Sequence, residues 1–194
     1  MLIPTLDSFS YKVVFVGDSG VGKTSLIQRI NTSKFEGNFD STIGASAIQK
    51  EVETSIGVIK LNIWDTAGKE KYKSLISTYA RNACAAILCF DLSSNESFLS
   101  LDEWINELQN ICDINCCFFV VGNKSDLDQH VPISTVNKWC EERKYKFFIT
   151  SAKTGIGIPE FIKEVAEDVI VAKEQTSEKN SPIPQPEESK STCC

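Results

Sequence analysis

The sequence predicts an α/β fold: a doubly wound, three-layer structure built on a six-stranded, mostly parallel sheet. Two features point there first. An apolar run, Val13-Val14-Phe15-Val16, breaks on glycine and resumes as a helix whose Leu26, Ile27 and Ile30 share one face. Two more unbroken apolar runs, Ala85 to Phe90 and Cys116 to Val121, have the character of central parallel strands buried on both faces. Helical spacing fills the intervals between such runs. Strands alternating with helices through right-handed crossovers give a sheet covered on both sides. The loops that follow the carboxyl ends of its strands then share one rim.

The first break is the most informative stretch. Gly17-Asp18-Ser19-Gly20-Val21-Gly22-Lys23-Thr24 fits the phosphate-loop pattern, and strand, loop and helix are in register around it. Backbone N–H groups of such a loop and the helix N-terminus face one concavity suited to polyphosphate, where Lys23 adds charge. Thr24 offers a hydroxyl to a magnesium ion. An ordinary glycine-rich turn would not need all three parts in this order.

Thr32 to Gly44 has no periodicity and is long for a connection, which is typical of functional loops. Ala47 to Thr54 and Val58 to Trp64 read as strands joined at Ser55-Ile56-Gly57. Ile59, Leu61 and Ile63 alternate with Lys60 and Asn62, as in a strand with one wetter face near a sheet edge. Phe98, Leu101, Ile105, Leu108 and Cys112 recur as one helix, with Ser93 and Glu96 as its capping box and Trp104 as a packing residue. A further helix starts near Ser134 and uses Val136, Trp139 and Cys140. A short strand, Lys146 to Thr150, precedes a last helix carrying Phe161, Ile162, Val165 and Val169. From Lys173 the apolar pattern stops, and Ser181-Pro182-Ile183-Pro184-Gln185-Pro186 reads as extended, disordered linker. The expected organisation is one domain over 9–172 and a tail over 173–194.

Composition narrows the class. The chain has 194 residues and a net charge of −6, with no basic stripe, which argues against nucleic acid as a partner. No apolar run is long enough to span a bilayer, and the first residues lack the pattern of a signal peptide. Of the eight cysteines, Cys84, Cys89, Cys112, Cys116, Cys117 and Cys140 lie in apolar segments, as reduced thiols of a cytoplasmic protein do. His130, the only histidine, stands beside Asp128 and Gln129 and reads as an exposed loop residue.

Three short motifs fall on the predicted rim. Trp64-Asp65-Thr66-Ala67-Gly68 follows a strand and places an acid for magnesium and a glycine amide for a terminal phosphate. Asn123-Lys124-Ser125-Asp126 and Ser151-Ala152-Lys153 follow the fifth and sixth strands. A carboxylate such as Asp126 accepts two N–H donors from the edge of guanine, a match that adenine does not offer. In this order the motifs resemble those of a small GTPase of the Ras superfamily, and within it the Rab family, over about residues 9 to 172. Lys60-Leu61-Asn62-Ile63-Trp64-Asp65-Thr66, Glu96-Ser97-Phe98 with Trp104, and Ser151-Ala152-Lys153-Thr154-Gly155 are similar to Rab wording.

The resemblance implies the phosphate-loop small GTPase (G domain) fold and a GTP/GDP switch in vesicle trafficking. It implies nucleotide contacts from Asp18, Ser19, Gly20, Val21, Gly22, Lys23, Thr24 and Ser25, and from Phe35, Thr42 and Gly68. On the base side it implies Asn123, Lys124, Asp126, Ser151, Ala152 and Lys153, with the Lys124 stem over the ring. Magnesium would be held by Thr24, Thr42 and Asp65. Catalysis would involve Lys23, Gly68 and Lys69. Implied partners are an exchange factor, a GTPase-activating protein, a GDP dissociation inhibitor, a prenylation escort protein and switch-binding effectors. Lipids on Cys193 and Cys194 would attach the chain reversibly to the cytosolic face of intracellular membranes.

Two departures from the family pattern stand out. An aromatic triad for effector binding would map to Ala47, Trp64 and Tyr79, so one ring is missing. In the second switch, Ala67-Gly68-Lys69-Glu70 carries lysine where the family has glutamine. Lys69 predicts slow intrinsic hydrolysis and keeps open a second reading, a mostly GTP-loaded, membrane-bound binding module. A phosphate-loop kinase using ATP is disfavoured by Asn123 to Asp126.

Overall fold

Two apolar layers, one on each face of a single sheet, organise the chain. The computed structural model describes residues 10–35, 45–66 and 73–179. Its strands are β1 (Ser10–Val16), β2 (Ala45–Thr54), β3 (Gly57–Thr66), β4 (Ala85–Asp91), β5 (Cys117–Asn123) and β6 (Lys146–Ile149). They lie in the order β2-β3-β1-β4-β5-β6. All neighbours are parallel except β2 and β3, which pair antiparallel from Ala45↔Thr66 to Thr54↔Gly57. The chain has the predicted fold class.

Helix α1 (Lys23–Thr32) and helix α6 (Ile158–Lys179) cover one face. Leu26, Ile27 and Ile30 meet Phe161, Val165 and Val169 there, over Val13, Phe15, Leu61 and Ile63. The other face carries α2 (Lys73–Ala80), α3 (Asn95–Leu99), α4 (Leu101–Gln109) and α5 (Ile133–Arg143). Val14, Val16, Leu88 and Phe90 point into that layer, against Ile76, Phe98, Trp104, Leu108 and Val136. The alternation of Val13 and Phe15 with Val14 and Val16 is the period-two geometry of a strand buried on both sides. β4 is fully buried along its length, as its unbroken apolar run requires.

Three expectations need correction. The helix expected from Phe98 to Cys112 is two segments, broken at Ser100. The Ser100 hydroxyl donates to the Glu96 carbonyl at 3.0 Å, the back-bonding by which serine bends or interrupts a helix. Cys112 lies beyond the second segment, its N–H still bonded to the Leu108 carbonyl. The cap is Ser94 rather than Ser93: its hydroxyl accepts the Ser97 N–H at 3.3 Å. Ser93 instead bonds to Asp91 through both its N–H and its hydroxyl. Finally, α6 stays helical to Lys179, past Lys173 where the apolar pattern stops.

The six cysteines in the apolar segments are free thiols, with Cys89 and Cys140 buried. His130 is exposed. Among the described residues no helix is long and apolar enough to cross a membrane.

Candidate nucleotide site

The phosphate loop leaves β1 at Gly17 and enters α1 at Lys23. Two of its glycines are fixed by close approach as well as by backbone angle. At Gly17 (φ 138°) a Cβ would stand 2.1 Å from the Cys89 carbonyl oxygen on β4. At Gly22 (φ 94°) it would stand 2.4 Å from the Asn123 amide nitrogen. Only glycine lets the loop press against both neighbours. Helix α1 then begins with no side-chain cap and no acidic residue in its first turn. Its leading N–H groups and the positive end of its dipole suit an anion.

Lys23 is buried, and its ammonium donates to the Gly17 and Asp18 carbonyls, each at 2.7 Å. Burial pushes its pKa down, opposed by the nearby Cys89, Asp65 and Asp18. Behind the loop, burial pushes the Cys89 thiol up to about 12, so it stays protonated and is no nucleophile.

Asp65, at the end of β3, accepts the Thr24 hydroxyl at 2.6 Å through Oδ2. Its Oδ1 is buried and has no hydrogen-bond partner among the described residues. Burial pushes this carboxyl up, against the Thr24 hydroxyl and the Lys23 charge, which push it down. A buried, orphaned carboxylate oxygen beside a threonine hydroxyl is the hard oxygen donor set that Mg²⁺ takes. Those two residues therefore fit the ion. Thr42, Gly68 and Lys69 lie outside the described residues.

On the base side, Asn123 at the end of β5 is buried and engaged at both ends. Its amide donates to the Val21 carbonyl at 2.9 Å, and its Oδ1 accepts the Ala152 N–H at 3.1 Å. The Ala152 amide, expected to reach a ligand, is thus committed to Asn123 here. Asp126 accepts the Ser151 hydroxyl at 2.5 Å and sits 3.8 Å from the Lys153 ammonium. A cleft of about 220 Å³ opens between these groups, bounded by Gly22, Ser25, Phe35, Asn123, Lys124 and Asp126. A larger recess of about 370 Å³ at Arg29, Lys50, Ile158 and Ile162 shares no residue with the phosphate loop, so size does not locate the site.

Two participants were not read from the sequence. Asp91, at the end of β4, pairs with the Lys124 ammonium at 2.6 Å. Burial alone would raise its carboxyl, but bonds from Lys124 and Ser93 outweigh that and hold it below the usual carboxylate range. Lys124 itself has φ 63°, a left-handed backbone, which fixes where its stem leaves the chain. The only signal for Asp91 was an acid closing an apolar strand on the rim. The other is Trp104, which is buried in the core yet donates its indole N–H to the Asp18 carboxylate at 2.8 Å.

A model of the Ras family matches residues 12–171. The chain is 40% identical over 156 residues to the Ras-related protein Rab-5B of Plasmodium falciparum (isolate 3D7), covering 80% of this chain and 75% of that one. It is 34% identical over 179 residues to the Ras-related protein YPTC6 of Chlamydomonas reinhardtii, covering 90% and 83%. Against the Ras-related protein RABA1b of Arabidopsis thaliana it is 36% identical over 172 residues, covering 86% and 79%.

Asn123→Ala removes the partner of a buried carbonyl on Val21 and of a buried N–H on Ala152. Each orphaned group costs about 1–3 kcal/mol, so the variant should lose roughly 2–6 kcal/mol in denaturant unfolding. A loss below about 0.5 kcal/mol, the scatter of neutral surface substitutions, would show that the brace matters little.

Proposed function

The chain belongs to the Ras family as a Rab-like small GTPase, and on that premise we propose how its own residues hold and turn over the nucleotide. It is a GTP hydrolase and a guanine-nucleotide switch of vesicle trafficking, with regulators and effectors. The observation that best supports the proposed site is the shared wall between its halves: Asn123 lines the base cleft and also bonds to the Val21 carbonyl in the phosphate loop. In this reading Asp126 takes the guanine edge, while Phe35 and the Lys124 stem flank the ring. Loop amides from Ser19 to Ser25 and the Lys23 ammonium take the phosphates. Thr24, Asp65 and, in the GTP state, Thr42 hold Mg²⁺, which when bound neutralises phosphate charge. We assign 9–172 as the GTPase domain and 173–194 as the tail, with α6 running on into it.

The test of the base site is competition. GDP and GTP should displace bound GDP, while adenine nucleotides should need about 10⁴-fold higher concentration. Asp126→Asn should move the preference toward xanthine nucleotides, whose altered edge suits an amide. Displacement by ATP at comparable concentration would sink the assignment.

Turnover rests on positioning of water and stabilisation of charge. A glutamine in the second switch both accepts a hydrogen bond from water and donates one, whereas the Lys69 ammonium has donors only. Pairing of Lys69 with the γ-phosphate would stabilise ground state and transition state alike and gain nothing in rate. Intrinsic hydrolysis is therefore slow, and an activating protein must supply what Lys69 lacks. In single turnover, Lys69→Gln should be faster by roughly ten- to a hundredfold. A wild type as fast as the variant would refute this.

We further propose lipid attachment at Cys193 and Cys194, with the dissociation inhibitor and escort protein as handlers. Two lipid chains anchor stably where one is marginal. From Lys173 onward three Lys face four Glu, so no basic patch assists. Membrane sedimentation should be insensitive to salt and abolished by the Cys193→Ser, Cys194→Ser double variant; retention by that variant would contradict the proposal.

A further inference from the structure

Asp18 is an awkward residue for its place. It is an acid in a loop that binds a polyanion, and its own backbone carbonyl holds the Lys23 ammonium at 2.7 Å. A carboxylate left to itself there would compete with phosphate for Lys23 and repel the incoming charge. The structure gives it a donor instead. Trp104, far along the chain on α4, is 1% exposed and directs its indole N–H to Asp18 Oδ1 at 2.8 Å.

The choice of donor matters. An indole has one N–H and no acceptor, so it takes the carboxylate in a single orientation. It carries no charge, so it holds the acid without adding a cation that would draw phosphate away from Lys23. It is also rigidly placed. The ring packs in the layer with Val14, Val16, Leu88 and Phe90, side chains of the two strands that flank the loop. The Asp18 carboxylate is thereby tied to the core.

We propose that Trp104 is a positioning residue of the nucleotide site, acting through Asp18: its indole N–H engages the carboxylate so that the phosphate loop presents amides and Lys23, rather than an acid, to the nucleotide. This rests on the guanine-nucleotide reading above. Packing alone would ask only for a large apolar ring at this position, and phenylalanine would serve.

The test uses the full chain loaded with fluorescent GDP and Mg²⁺, following release into excess unlabelled GDP. Trp104→Phe keeps a ring in the core but removes the donor, and should speed release about tenfold, the scale of a bond to a charged group. Adding Asp18→Ala in that background should slow release again, because the unheld acid is gone. Unchanged release from Trp104→Phe overturns the inference. So does a double variant as fast as, or faster than, Trp104→Phe alone, since that would mean independent packing and loop effects. A second measurement does not need the tryptophan variant to fold. In ¹⁵N-labelled, GDP-loaded protein, Asp18→Asn should shift the Trp104 indole N–H resonance, assigned by elimination with Trp64→Phe and Trp139→Phe. An unmoved indole resonance overturns the inference as well. A wild type that fails to hold labelled GDP would overturn the nucleotide reading itself, whereas one that holds it and shows no rescue overturns the role of Trp104 alone.

Discussion

One buried amide joins the two halves of the site. Asn123 donates to the Val21 carbonyl in the phosphate loop and accepts the Ala152 N–H in the loop after β6. Its own carbonyl accepts the Leu92 N–H that follows β4. Three loops at three strand ends are thus fixed to one residue of β5. Gly22 is obligatory for the same reason, because a Cβ there would strike the Asn123 amide. With the amide satisfied on both ends, its burial is stabilising; with either partner missing, the same burial becomes a cost. The geometry of the cleft at Asp126 and that of the glycine-rich loop are therefore coupled through Asn123.

The charges of the phosphate side follow a complementary logic. Lys23 and Asp65 are both buried, and burial pushes each toward its neutral form. Neither is paired directly with the other in the way a structural salt bridge would be. Lys23 is held by two carbonyls and Asp65 by one hydroxyl, which orient the groups, while each charge only partly offsets the burial of the other. Such an arrangement is poor for folding and well suited to a ligand bringing both signs, an anion with a divalent cation. Stability is supplied elsewhere, by the two apolar layers that clamp β1 and β4.

Sequence patterns disclosed what is local and periodic. The glycine break, the unbroken runs of β4 and β5 and the helical spacing of α1 and α6 each announce themselves within a few residues, and their order defines the rim. What stayed hidden depends on partners far along the chain. Asp91 is an ordinary acid until the fold brings Lys124 to it, and Lys124 reveals its left-handed backbone only in the structure. Trp104 has the spacing of a core residue and is one; its N–H bond to Asp18 is invisible to periodicity. The break at Ser100 was missed because the apolar repeat continues across it while the serine hydroxyl takes a backbone acceptor. Lys69 lies outside the described residues, so its reading rests on the family resemblance and on chemistry.

Beside helix α2, β3 contributes to a short aromatic surface. Trp64 and Tyr79 lie with ring centres 5.8 Å apart, and the Lys12 ammonium stands 5.0 Å from the Trp64 ring. Across the antiparallel pair, the residue opposite Trp64 is Ala47, exposed and too small to extend the aromatic surface. An aromatic there would stack on Trp64 as a cross-strand pair and present a continuous apolar ridge. With alanine, the ridge ends at Trp64 and leaves a step one side chain deep. A partner shaped to a flat three-ring surface would leave a gap at that step, forfeiting contact and trapping water. A partner that fills the step with a bulky group would gain what the first loses. At this surface the departure from the family pattern is a single missing ring, Ala47 opposite Trp64.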